Sequence, residues 1–118
     1  AFRRVLLNLL DNAAKFGGGA CQVVPERDAA AIRLEVRDRG AGIPAEERER
    51  IFEPFYRGST AGARPGSGLG LALAKHFAEA HSGSIVALPR EGGGSILRLT
   101  LPLGNQERPA PAGPRGAR

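Results

Sequence analysis

Residues 8–16 read NLLDNAAKF, and the placement of their polar side chains decides how the chain folds. At about 100° per residue, Phe2, Leu6, Leu9, Leu10 and Ala13 fall on one side of a helix spanning 1–16. Asn8, Asp11, Asn12 and Lys15 fall on the other. Asparagine is a mediocre helix former, because its short amide competes for local backbone hydrogen bonds. Two of them one turn apart, with a lysine a turn further on, ask for a reason. Carboxamide oxygens and an ammonium on one face suit a hydrated Mg2+ and the phosphates it carries, since magnesium takes hard oxygens and keeps several waters. An ordinary solvated face accounts for the same pattern, and this stretch alone does not choose between the two.

The helix stops at FGGGA (16–20), with Gly17 suited to the position after the last turn. CQVV (21–24) starts a short strand, and PERDA (25–29) reads as a turn-rich link. AIRLEVRD (31–38) alternates, with Ile32, Leu34 and Val36 facing one way and Arg33, Glu35 and Arg37 the other, the pattern of a half-buried strand. PAEERERIF (44–52) predicts a short helix with Pro44 in its first turn. A Gly- and Ser-rich loop covers 56–68. A second long helix is predicted over 69–82, its apolar stripe made by Leu69, Leu73 and Phe77 and its end capped by Gly83. SIVAL (84–88) and SILRLTL (95–101) are strands joined as a hairpin through PREGGG (89–94), with Leu97, Leu99 and Leu101 inward. This order predicts a two-layer α/β (α+β) sandwich, a mixed, mainly antiparallel sheet covered on one face by helices. One domain is expected over 1–103, and 104–118, without apolar periodicity, reads as a disordered tail.

At 118 residues, with 42% hydrophobic and 25% charged side chains, the chain has the composition of a globular domain. Its net charge of +5 invites a nucleic-acid reading, but only Lys15 and Lys75 among the 17 basic residues are lysine. The arginines are scattered among acidic neighbours, which favours a charge-mixed solvated surface and no nucleic-acid partner. A single cysteine, Cys21, excludes a disulfide within the chain and fits a reducing compartment. No apolar run approaches the ~20 residues of a membrane span. The chain opens at Ala1 directly in the helical pattern, as a piece cut from a longer polypeptide would.

Two further stretches carry chemistry. The alternation that turns Leu34 and Val36 inward puts Asp38 on the same side, where a carboxylate is costly without a donor. Gly40 and Gly42 follow it and let a flat ligand approach the backbone. Asp38 can accept from the amine of adenine, or it can serve structurally by accepting N–H groups of its own glycine turn. PGSGLGLALAK (65–75) brings Gly66, Gly68 and Gly70 to a helix start, where free N–H groups suit phosphates. It is neither a Walker A loop nor a dinucleotide fingerprint, and a glycine linker would look similar.

Taken together and in order, these stretches resemble the ATP-binding domain of the GHKL (Bergerat-fold) superfamily, and in detail the catalytic domain of bacterial sensor histidine kinases. NLLDNAAKF is similar to the N box, DRGAGI (38–43) to the G1 box, IFEPFYRG (51–58) to the F box and GSGLGLALA (66–74) to the G2 box. GGGSILRLTLPL (92–103) resembles the glycine turn and last strand of that domain. The resemblance covers about residues 2–103.

The resemblance implies ATP and Mg2+ as ligands. Asn12 would supply the metal ligand with Asn8 assisting, Lys15 would reach phosphate, and Phe16 would pack beside the nucleotide. Asp38 would accept from the adenine amine, with Gly40, Gly42 and Ile43 lining the base pocket. Phe52 and Phe55 would anchor one end of a lid over the nucleotide. Gly66, Gly68 and Gly70 would offer N–H groups to the phosphates, Arg57 and Arg64 would meet the γ-phosphate, and Leu69 and Leu71 would wall the pocket. Related hydrolases of the gyrase type carry a water-activating glutamate where this chain has Asn8, so phosphoryl transfer is implied over hydrolysis. The family's first strand, which precedes the N-box helix, has no counterpart here. Neither His76 nor His81 suits a phosphoacceptor. The implied partners are a dimerisation domain upstream that bears the acceptor histidine, and a response regulator. The implied location is cytoplasmic, with a homodimeric parent at the inner face of the cell membrane. A non-catalytic nucleotide-binding module of the same fold is the alternative, and an ATP hydrolase the less favoured one.

Overall fold

In a computed structural model, residues 2–16, 21–56 and 69–103 are described. The elements run α1 (Phe2–Phe16), β1 (Cys21–Arg27), β2 (Ala31–Asp38), two 3-10 turns (Ala45–Glu47 and Arg50–Phe52), α2 (Gly70–Ala80), β3 (Ser84–Pro89) and β4 (Ser95–Pro102). The four strands form one sheet in the order β1-β2-β4-β3, and every pairing is antiparallel. No helix among the described residues is long and apolar enough to cross a membrane.

The register explains how the layers meet. Val36 pairs with Leu97 and Leu97 with Ala87, while Leu34 pairs with Leu99 and Leu99 with Ile85. Side chains alternate along each strand, so these rows share one face. Val5, Leu9 and Ala13 of α1 and Ala74 and Ala78 of α2 close over them, forming one core with Phe52. Leu9, Leu97, Leu99 and Val36 are its largest fully buried side chains. The small residues of α2 let the two helices lie close, and the Phe2 and Phe77 rings meet at 6.3 Å between centroids.

Several expectations shift. Pro25, Glu26 and Arg27 continue β1 where a link was predicted. An edge strand tolerates Pro25 because one side of its backbone makes no ladder bonds. The predicted helix over 44–52 is two 3-10 turns. On α2 the buried positions are Ala74 and Ala78, whereas Leu73 is 50% exposed. On α1, Val5 is buried and Phe2 lies outside the core, and Ile32, near the start of β2, is exposed. The left-handed residue that ends α2 is Ser82, at φ 62°, rather than Gly83. The Ser82 and Gly83 N–H groups donate to the Glu79 and Ala78 carbonyls, the double bond of a Schellman turn. Gly83 is required for another reason, since a Cβ there would lie 2.0 Å from the Thr100 carbonyl oxygen.

The sheet face away from the helices is charged. Glu35, 9% exposed, accepts from Arg37 Nε at 2.8 Å and from Arg98 Nε at 2.7 Å. Burial pushes its carboxyl up, but the hydrogen bonds and charges of the two guanidiniums outweigh this, and the net displacement is downward. At the β1–β2 turn, the Arg33 guanidinium and the Ala30 and Ala31 N–H groups hold the exposed Asp28 carboxyl down at about 2.

Two measurements check this layer arrangement. Leu9→Ala leaves a cavity under both helices and should cost about 2–5 kcal/mol in chemical denaturation. A carboxyl whose folded pKa is depressed stabilises fully above its ordinary value, 4.5 for Glu35, and progressively less as pH falls through the folded value. Stability measured from pH 7 downward should therefore decline in that acid range, and Glu35→Gln should be less stable at neutral pH with a visibly shallower acid slope.

Candidate functional site

Asp38 ends β2 on the core-facing side and is 5% exposed. Its Oδ1 accepts the Gly40 N–H at 2.9 Å and the Ser95 N–H at 3.2 Å, and its Oδ2 accepts the Ser95 hydroxyl at 2.8 Å. The alternation of β2 dictates the inward direction, and the β2–β4 pairing brings Ser95 opposite the strand end. The structural role considered for Asp38 is thus real, yet it does not exhaust the carboxylate. A carboxylate offers about four acceptor positions. Among the described residues, two bonds fill Oδ1, while Oδ2 carries one and keeps a lone pair for a further donor.

Gly42 and Gly94 shape the floor beside it. Gly42 stands at φ 82°, and a Cβ there would come 3.4 Å from the Gly94 carbonyl oxygen. At Gly94, with φ 103°, a Cβ would lie 2.0 Å from the Asp38 carbonyl oxygen. Only glycine at 94 lets β4 start against the end of β2. Ile43 packs on the core from the next position.

The second half of the site lies where α1 meets α2. Asn8 and Asn12 are both half-buried on one face of α1. Asn8 Nδ2 donates to the Gly70 carbonyl at 3.3 Å, tying the polar stripe of α1 to the start of α2. A carbonyl partner identifies the facing amide atom as nitrogen, so Oδ1 is left as the acceptor. Gly70 packs closely there, as a Cβ would sit 3.7 Å from Asn8. Lys15 forms an i,i+4 ion pair with Asp11 at 3.0 Å, so reaching a phosphate would mean exchanging one anion for another. Leu69 and Leu71 are half-buried at the head of α2, and Leu71 packs on the core.

Phe52 is 6% exposed and anchored in the core, whereas Phe55 is 69% exposed at φ 66°. The two therefore share no environment. Arg57, Arg64, Gly66 and Gly68 lie outside the described residues, and so does 104–118. The side chain of Phe16 is likewise not described. Among the described residues, no group of three or more His, Cys, Asp and Glu could hold a metal ion. Ser95 and Gly94 belong to the stretch 92–103 that resembles a glycine turn and last strand, and nothing in that pattern gives either a role beside Asp38. The glycine run before Ser95 was their signal, but only the β2–β4 register aims Ser95 at Asp38.

The profile of the histidine kinase-, DNA gyrase B-, and HSP90-like ATPase family matches residues 1–105. The sensor protein KdpD of Escherichia coli is 40% identical over 103 residues, covering 86% of this chain and 12% of that protein. The signal transduction histidine-protein kinase/phosphatase MprB of Mycolicibacterium vanbaalenii is 42% identical over 113 residues, 93% of this chain and 23% of the relative. The chain thus spans a quarter or less of the length of these relatives. Among solved structures, a mycobacterial sensor histidine kinase MprB superposes with a TM-score of 0.74 at 36% identity, over 84% of this chain and 70% of that one. Full-length ShkA in complex with AMPPNP superposes with a TM-score of 0.69 at 32% identity, over 85% of this chain and 21% of that one. The chain belongs to the histidine kinase-, DNA gyrase B- and HSP90-like ATPase family, and within it is an ATP-binding catalytic domain of the sensor histidine kinase kind.

Proposed function

We propose that this domain binds Mg·ATP and, in its parent protein, transfers the γ-phosphoryl group to a histidine on an upstream dimerisation domain, from which a response regulator is served. The observation that carries this reading is the Asp38 carboxylate, whose Oδ1 is filled by two donors while Oδ2, with one, retains room for another beside the glycine floor. The 6-amino group of adenine is such a donor, while guanine presents a carbonyl oxygen that a carboxylate repels. The relative solved with AMPPNP supports the same class of ligand.

The chemistry of the donor set fits magnesium. Asn8 and Asn12 offer neutral carboxamide oxygens on one helix face, and an ion held by so few protein groups completes its shell with water and phosphate. When bound, the metal would neutralise charge on the phosphates. The protein's own share is positioning. Asn12 and Asn8 would hold the metal-bound phosphates over the start of α2, and Lys15 would exchange Asp11 for phosphate. Gly66, Gly68 and Gly70 would offer N–H groups, with Arg57 and Arg64 reaching the γ-phosphate from the lid. Phe52 and Phe55 would anchor that lid, and Phe16, Gly40, Gly42, Ile43, Leu69 and Leu71 would enclose the base. Phosphoryl transfer depends mainly on such positioning and charge neutralisation. Asn8, an amide, cannot act as the general base that hydrolysis of ATP would need, which favours a side-chain acceptor. We place the domain on the cytoplasmic side of the membrane, where ATP is, with a homodimeric parent.

Asp38→Ala should weaken ATP binding at least about tenfold, the scale of a lost hydrogen bond to a charged group, measured by displacement of a fluorescent ATP analogue. Asn12→Ala should weaken it only when Mg2+ is present. ATP affinity unchanged in both folded variants would sink the reading. Given radiolabelled ATP, the chain should leave itself unlabelled yet label a separately supplied dimerisation domain of a related kinase. Steady phosphate release without an acceptor would point to the hydrolase instead, and binding without transfer to the non-catalytic module.

A further inference from the structure

Arg39 follows the base-reading carboxylate in sequence, and its side chain reaches across to the β3–β4 turn. Its Nη1 donates to the Glu91 carbonyl at 2.8 Å and to the Gly93 carbonyl at 3.0 Å, which spends both hydrogens of that nitrogen. From the opposite side, Arg90 Nη1 donates to the Asp38 carbonyl at 3.2 Å, and its Nη2 donates to Gln22 Oε1 at 3.0 Å. The two arginines therefore pin the turn and the end of β2 to each other reciprocally.

The turn needs such pins. Gly92, Gly93 and Gly94 stand at φ 88°, 112° and 103°, and three successive glycines in left-handed conformations lose more backbone freedom than any other residues would. Within the turn, two backbone bonds link Arg90 to Gly94 and Gly93, at 3.3 and 2.9 Å. The residue that follows is Ser95, which supplies two of the three donors to Asp38. Any shift of the turn moves those donors and re-aims the carboxylate.

We infer that Arg39 is a positioning residue for base recognition: by clamping the Glu91 and Gly93 carbonyls it holds Ser95 against Asp38 and so sets the preference for adenine over 6-oxopurines. Arg39 itself is exposed, and its hydrogen bonds go to the turn carbonyls. Charged N–H···O=C bonds are stronger than neutral ones, which is why a surface guanidinium can govern a buried carboxylate. The inference rests on the adenine reading of Asp38 proposed above.

The test compares ATP with ITP, which carries a carbonyl where ATP has its amine, by displacement of a fluorescent analogue well below the melting temperature. Wild type should prefer ATP by about tenfold or more. Arg39→Ala should lose ATP affinity while ITP affinity stays near its starting level, bringing the preference within about threefold. Arg39→Lys, with three donors on one nitrogen, should recover most of it. If Arg39→Ala does not fold, Arg39→Gln, which keeps the stem but loses the charge, carries the same comparison. Equal losses for ATP and ITP, or an unchanged ratio, overturn the positioning role. Wild type binding both nucleotides equally overturns the adenine reading of Asp38 instead, and this inference with it.

Discussion

Three donors converge on the Asp38 carboxylate, and the rest of the site is arranged around that convergence. The Gly40 N–H comes from the loop after β2, while the Ser95 N–H and hydroxyl come from the start of β4. A buried carboxylate is costly when unpaired, so these bonds stabilise the position and also fix its direction. They bind a loop and two strands that are remote in sequence into one rigid floor. The floor needs glycine at 94 for its closeness and at 42 for its backbone angle. The proposed reading of a single amine relies on this rigid acceptor having one position left over.

The sheet divides its two faces by chemistry. Toward the helices run rows of Leu, Val, Ile and Ala, on which α1 and α2 settle through their own small and apolar residues. Away from them, Glu35 is shared by Arg37 and Arg98, and every polar atom of its carboxylate is matched. The helical layer thereby leaves the polar stripe of α1 turned toward the start of α2, where Asn8 meets the Gly70 carbonyl. Packing of Val5, Leu9 and Ala13 on one side of α1 is what presents Asn8 and Asn12 on the other. The asparagines cost the helix some intrinsic propensity, and burial of the opposite face offsets it.

Where periodicity was strong, the chain could be read directly. The strand over 31–38 and the hairpin through PREGGG stand where alternation and turn residues placed them. The failures have local causes. An i, i+4, i+8 stripe put Leu73 inward, but α2 packs through Ala74 and Ala78, because helix–helix closeness rewarded small residues over large ones. Pro25 looked like a breaker and is an edge-strand residue, since the cost of proline depends on whether its missing N–H had a partner. Gly83 looked like the helix cap, but the left-handed angle belongs to Ser82, while the glycine answers to contact with Thr100. Composition cannot distinguish a glycine wanted for its angle from one wanted for its size.

From the amino-acid order alone came the helical and strand periods, the family boxes and the inward direction of Asp38, all consequences of spacing within a few residues. Only the folded chain decided that Ser95 and Gly94 complete the Asp38 site, that Asn8 grips Gly70, and that Arg39 and Arg90 brace the turn. Those pairings join residues more than fifty positions apart. They depend on strand register and helix packing, which arise from the whole core at once and leave no trace in any short stretch of sequence.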